Sequence, residues 1–144
     1  MNRDLARLEA ACAAWEGTPY CENSAIKGVG ICCNAAFAEA YFEADWLPRS
    51  RYPMPNIGKT PPSKAVEFLA PWFDRVATAQ PGDLLLCRNG RTSHFLILLS
   101  GGRAFHAHAR AVVAPNLPTM WAKRVHSVWR PKPLDPRPST LDPA

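Results

Sequence analysis

The spacing of apolar residues changes halfway along this chain, and that change restricts the fold more than any other feature. Between Asp4 and Trp15, the residues Leu5, Leu8, Ala11, Cys12 and Trp15 recur at helical intervals, with Asn2 or Asp4 placed near an N-cap. Gly17-Thr18-Pro19-Tyr20 ends that helix, and Cys21 to Gly30 reads as a loop. A second helix is predicted from about Cys33 to Glu43, Ala-rich, with Ala36, Phe37, Ala40 and Tyr41 on one face. After a proline-punctuated loop from Trp46, Pro62-Ser63 opens a third helix with Val66, Leu69 and Phe73 facing inward, truncated or bent at Pro71. From Pro81-Gly82-Asp83 onward the pattern is strand and turn. Leu84–Cys87, His94–Leu99, Ala104–His108 and Val125–Trp129 are four predicted strands, and Asn89-Gly90 and Gly101-Gly102 are turns between them. Helices first and a meander after them define an α+β chain, with N-terminal helices packed on a small antiparallel sheet.

At 144 residues and 47% hydrophobic composition the chain is one globular domain, predicted over residues 1–131. Residues 132–144 are expected to be an extended Pro-rich tail. The longest strongly apolar run, Phe95–Leu99, is far below the roughly 20 residues of a spanning helix, so no membrane insertion is expected. The start, Met1-Asn2-Arg3-Asp4, does not read as a secretion signal, so a cytoplasmic location on synthesis is expected. The net charge of +5 comes from cations scattered along the chain. No recognition helix or aromatic nucleic-acid motif accompanies them, so no nucleic-acid partner is expected, and the scatter reads as a solvated face.

Five cysteines, at 12, 21, 32, 33 and 87, leave at least one thiol free within the chain. None forms a C-x-x-C pair, so neither a structural metal site nor a cofactor is expected. Cys33 falls where the loop holding Gly28 and Gly30 meets the second helix. A helix N-terminus lowers a thiol's pKa, and its free amides can bind an oxyanion. His94 and His106, on strands joined by a Gly-Gly turn, are candidates for a base and for the residue that orients it, with His108 on the same strand face as His106. Cys12, Cys21, Cys32 and Cys87 read as buried or half-buried filler, and His126 as a surface residue.

At these residues the chain resembles the NlpC/P60 cysteine peptidases. Trp15-x-Gly17-Thr18-Pro19-Tyr20, then Lys27-Gly28-x-Gly30-x-x-Cys33 and a helix, is similar to the family's N-terminal half, in the form associated with phage tails and gene-transfer particles. Pro81-Gly82-Asp83-Leu84 with Ser93-His94, then Phe105-His106-Ala107 and the closing Val128-Trp129-Arg130, resembles the strands that follow. The resemblance implies a papain-like fold with Cys33 as nucleophile, His94 as general base and His106 orienting it. It implies that Tyr20 lies beside the nucleophile, and that the substrate is an amide in peptidoglycan stem peptides. The partners implied are that peptide, or another amide substrate, and phage-tail or secretion proteins, with delivery to the periplasm or cell wall by such a particle or machine. One position departs. Where the family usually has Asp before the cysteine, linked with recognising a free amine, this chain has Cys32, and Asn34 follows the cysteine in place of a small residue. A neutral thiol forms no ion pair with an amine. A non-catalytic assembly module on the same fold, or a thioester-using acyltransferase, therefore stands beside the hydrolase.

Overall fold

Asp4 accepts a hydrogen bond from the Arg7 amide and so caps α1 (Leu5–Ala14) of the computed structural model, which describes residues 3–134. Leu8, Ala11 and Cys12 form its buried stripe; Asn2, the other expected cap, lies outside the described residues. The predicted loop after it carries a two-residue hairpin, β1 (Ala25–Ile26) and β2 (Gly30–Ile31). Then comes α2 (Cys33–Glu43), at the boundaries read from the sequence. The third helix, α3 (Pro62–Leu69), stops before Pro71, whose ring and missing N–H cannot continue a helix. Phe73 therefore does not belong to α3, as its spacing suggested. It begins a strand, β3 (Phe73–Val76).

The sheet is larger and differently threaded than a four-strand meander. It has six antiparallel strands in the order β3-β8-β4-β5-β6-β7, where β4 is Leu84–Asn89, β5 Thr92–Leu98, β6 Ala104–Ala107, β7 Ala111–Ala114 and β8 Val125–Pro131. The last strand crosses back to lie between β3 and β4, with a one-turn helix, α4 (Thr119–Ala122), leading into it. Short strands such as β3 and β7 offer too few alternations to stand out in a sequence; their partners, distant along the chain, complete them. Pro131 closes β8 opposite Phe73, and the Lys132 amide bonds the Trp72 carbonyl at 2.9 Å. Of the predicted tail, only Lys132–Leu134 falls within the described residues.

Alternation along the strands divides two apolar layers. Leu84, Leu86, Phe95, Ile97 and Phe105 pack with α1 and α2. Leu85, Cys87, Leu96 and Ala104 form a smaller cluster with Trp121 of α4 on the opposite face. In the main layer Phe37 of α2 meets Phe73, Phe95 and Tyr41 with ring centroids 4.9–6.3 Å apart. The Tyr41 hydroxyl donates to the Gly82 carbonyl at 2.7 Å, which ties α2 to the turn before β4.

That turn shows why Pro81-Gly82-Asp83 has the residues it has. Gly82 has φ +100°, and a Cβ there would fall 2.6 Å from the Trp46 ring. The Asp83 carboxylate, 2% exposed, accepts two bonds from the Arg130 guanidinium of β8, at 2.8 and 2.9 Å, and one from the Gln80 amide. We expect Asp83→Ala to lower unfolding free energy by about 2–3 kcal/mol, the range for charge-assisted bonds. Gly82→Ala should be at least as damaging, because it meets both the positive φ and the indole. Urea denaturation of the two variants measures both.

Candidate active site

Cys33 is the first residue of α2, and the residue before it explains the chemistry there. Cys32 is the N-cap, extended at φ −101° and ψ 167°, and makes no side-chain capping bond. Its thiol instead approaches Asn34 Oδ1 at 3.7 Å. Without a capping oxygen, the first-turn amides of α2 are left to the groups that face them. The amides of Asn34 and Cys33 act on the Cys33 sulfur and pull its pKa down, the effect expected of a helix start. Burial wins over them. With Cys33 only 7% exposed and the Cys32 thiol beside it, its pKa is pushed up to about 12, with desolvation the larger cause. The resting nucleophile candidate is a neutral thiol.

A short 3-10 turn, Ile57–Lys59, covers that thiol. A Cβ on Gly58 would fall 2.7 Å from Cys33 Sγ, so only glycine permits this close approach. The turn is held at its far end by Ser93 of β5, whose hydroxyl donates to the Thr60 carbonyl at 2.7 Å. His94, the next residue, points to the other side of the sheet from Phe95. Its imidazole lies on the small apolar layer, stacked on the Trp121 indole with centroids 4.1 Å apart and planes 24° apart. His94 Nε2 and His106 Nδ1 share a hydrogen bond of 2.8 Å. His108, beyond the end of β6, meets His94 edge to face at 5.7 Å. Of the two histidines that alternation left open, His106 is the one bonded to His94.

One cleft of about 470 Å³ brings Cys33 and His94 to a common lining, of which His106 is not a part. Cys32, Cys33, Asn34, His94, His108 and Tyr20 all line it, with Gly58 and Lys59 of the covering turn. Among the described residues no hydrogen bond links Cys33 Sγ to His94, whose only side-chain bond is to His106. Tyr20 is partly exposed at the rim, its hydroxyl pKa pushed up to about 12 by burial and then by the neighbouring thiols. Glu22, also in the lining, is paired with Lys59 at 2.8 Å. Cys12 and Cys87 are buried as expected, whereas Cys21 is exposed, because the loop that carries it runs over the surface. No group of three or more His, Cys, Asp or Glu side chains among the described residues is arranged to hold a metal ion.

Both histidines are held neutral. Burial, then the charges His106 and His108 would carry, hold His94 down at about 3. Burial, then His108, hold His106 at about 4. The thiol and both imidazoles therefore rest uncharged. Sequence reasoning missed Gly58, Trp121 and the Glu22–Lys59 pair. Glycine in a proline-rich loop and tryptophan after Leu117-Pro118 carry no chemical signature of their own.

Helices packed on an open six-stranded antiparallel sheet make this an α+β fold of NlpC/P60-like architecture. Solved structures share it. The chain superimposes on an NLP/P60-family protein of Staphylococcus aureus described as similar to lipoprotein, with a TM-score of 0.64 and 19% identity over 88% of this chain and 40% of that one. It matches the NlpC/p60 domain of the peptidoglycan hydrolase SagA at a TM-score of 0.55 and 20% identity, over 88% of this chain and 97% of that one. It also matches RipD of Mycobacterium tuberculosis, described as a non-catalytic NlpC/p60 domain protein adapted to peptidoglycan binding, at 0.56 and 16%, over 90% and 98%. No family model matches the chain, and no curated protein matches it.

Three outcomes follow from the burial of these groups. Iodoacetamide at pH 7 should alkylate exposed Cys21 before Cys33, with the Cys33 rate climbing through the alkaline range; peptide mass mapping reads the order. The unfolded chain protonates His94 near 6.5 and the folded chain only near 3, so stability should fall as pH drops from about 6.5 toward 3. In Trp121→Leu the His94 pKa should rise by on the order of one unit as water reaches the ring, followed by NMR titration.

Proposed function

We propose that this protein is a thiol hydrolase of amide bonds in peptidoglycan stem peptides, with Cys33 as nucleophile, His94 as base and His106 orienting it. The observation that carries this reading is the shared cleft. It holds the thiol at the start of α2 and an imidazole whose far nitrogen is already bonded, at 2.8 Å, to a second histidine. In the reaction, His94 takes the Cys33 proton as sulfur bonds to the substrate carbonyl carbon. The oxyanion then faces the uncapped amides at the start of α2. Collapse breaks the C–N bond, and His94 returns the proton to the leaving amine. Water, deprotonated by the same imidazole, attacks the thioacyl carbon, and the thiol regains its proton as the acid leaves. Because burial holds the resting thiol neutral, proton transfer and attack are coupled, and a substrate that displaces the Ile57–Lys59 turn from Sγ starts the cycle.

Cys32 modifies the substrate side. The cleft lining offers an amine no free carboxylate, since its Glu22 is engaged by Lys59. We therefore expect an acyl donor whose amine is blocked or placed outside the cleft. The same geometry favours one second reading, a non-catalytic peptidoglycan-binding module, because Gly58 covers Sγ and no bond joins it to His94. A place at a phage tail or in a secretion machine accords with either role. No helix among the described residues is long and apolar enough to cross a membrane.

Purified sacculi digested by the native chain, by Cys33→Ala and by His94→Ala separate these readings. A hydrolase releases fragments that mass spectrometry assigns to one peptide bond. Cys33→Ala should lose that release entirely, and His94→Ala by at least 100-fold, in line with removal of a general base. Sedimentation of Cys33→Ala with sacculi, and no release by the native chain, would establish the binding module instead. Release by Cys33→Ala equal to that of the native chain would overturn the assignment of the nucleophile.

A further inference from the structure

Cations that are scattered in sequence gather at one place in the fold, away from the thiol cleft. The register between β4 and β8 slips there: Leu86 pairs with Ser127 and Cys87 with Val125, which leaves His126 as the extra residue of a β-bulge. Bulges turn a side chain out of the alternating pattern, and this one opens onto a concavity of about 250 Å³. Arg88, Lys123, Arg124 and His126 line it, with Gly90 of the β4–β5 turn. Arg75, from β3 on the other side of β8, adds its charge: its field and that of Arg88 lower the His126 pKa, after burial. None of Arg75, Arg88, Lys123 and Arg124 forms an ion pair with a carboxylate among the described residues. No acidic side chain lines the concavity either.

We propose that this bulge pocket is a binding site for a phosphate group. Two guanidiniums, an ammonium and a turn backbone around a small concave space match a compact, multiply charged oxyanion better than a single carboxylate. Phosphate supplies at least three acceptor oxygens and up to two charges. The lining holds no Phe, Tyr or Trp ring on which a base could stack, which argues against a nucleic acid as the source. His126 Nδ1 is taken by the Ser127 hydroxyl at 2.9 Å, so Nε2 is the ring nitrogen left for the ligand. The pocket does not depend on the hydrolase reading, because it shares no lining residue with the thiol cleft.

Titration of the isotopically labelled full chain with inorganic phosphate, at constant ionic strength set by chloride, tests the site. Amide shifts should concentrate at Arg88, Gly90, Arg124 and His126. The His126 ring pKa, held down by burial and then by Arg75 and Arg88, should rise when phosphate binds. Arg88→Gln combined with Arg124→Gln, both exposed positions, should weaken the apparent affinity at least tenfold with the far-UV circular dichroism unchanged, while Cys33→Ala alone should bind phosphate as the native chain does. Parallel titrations with a glycerol phosphate oligomer and with phosphatidylglycerol vesicles identify the source by which binds more tightly than free phosphate. Shifts no larger than those with chloride, shifts spread over the whole surface, or affinity unchanged in the double variant would overturn the proposal. Binding of single-stranded DNA as tight as that of the oligomer would overturn phosphate as the recognised unit, in favour of a nucleic-acid surface.

Discussion

Burial of α2 is the constraint on which the rest of this molecule depends. Nine of its eleven residues, from Cys33 to Phe42 with Glu39 excepted, are buried, because the hairpin β1–β2, α1 and the sheet enclose it. The alanines let the helix approach its neighbours closely, and Phe37, Tyr41 and Phe42 fill the remaining space. Truncating one such aromatic typically costs about 3–5 kcal/mol, a large part of the margin of a domain this size. Tyr41 connects that layer to the Gly82 turn, and Asp83 beside it connects to Arg130 of β8. The helix, the turn and the strand that crosses the sheet are one packed unit.

The same burial sets the chemistry. A helix start offers a thiol partial positive charge worth a fraction of a kcal/mol to about 2 kcal/mol. Desolvation of a thiolate that is almost fully covered is the larger effect here and has the opposite sign. His94 is treated alike, since the indole that fixes its plane also keeps water from its face. The outcome is a neutral, orientated pair of groups rather than a standing ion pair.

How much of this the sequence contained follows from how local each feature is. The N-terminus of α2 at Cys33 was legible because Gly28, Gly30 and the alanine run all act within one segment. The β4–β5 hairpin was legible because Asn89-Gly90 fixes its own turn. His106 could be favoured over His108, yet only the folded chain shows its ring bonded to His94. Phe73 was misread because its helical spacing from Leu69 is real, while the strand it joins is completed by Pro131, far along the chain. Trp121 lies in a four-residue helix whose place beneath His94 depends on the route from β7 to β8. Cys21, expected to be filler, is exposed because nothing in its own segment records that the loop is left uncovered.

The passage of β8 between β3 and β4 accounts for the largest part that stayed hidden. Arg75, Arg88, Lys123 and Arg124 look like ordinary surface charges when read in order. Placing β8 in that gap sets His126 between a strand carrying Arg75 and a strand carrying Arg88, and the bulge turns it outward. The same crossing brings α4 under His94, so Trp121 contacts the imidazole while the Arg124 guanidinium lies 5.9 Å from the indole centroid. The β4–β5 hairpin completes the arrangement, with Asn89 and Thr92 on the thiol cleft and Arg88 and Gly90 on the basic pocket. The β4–β5 hairpin therefore contributes to both sites through different residues, and its place beside β8 is held by the topology rather than by neighbours in sequence.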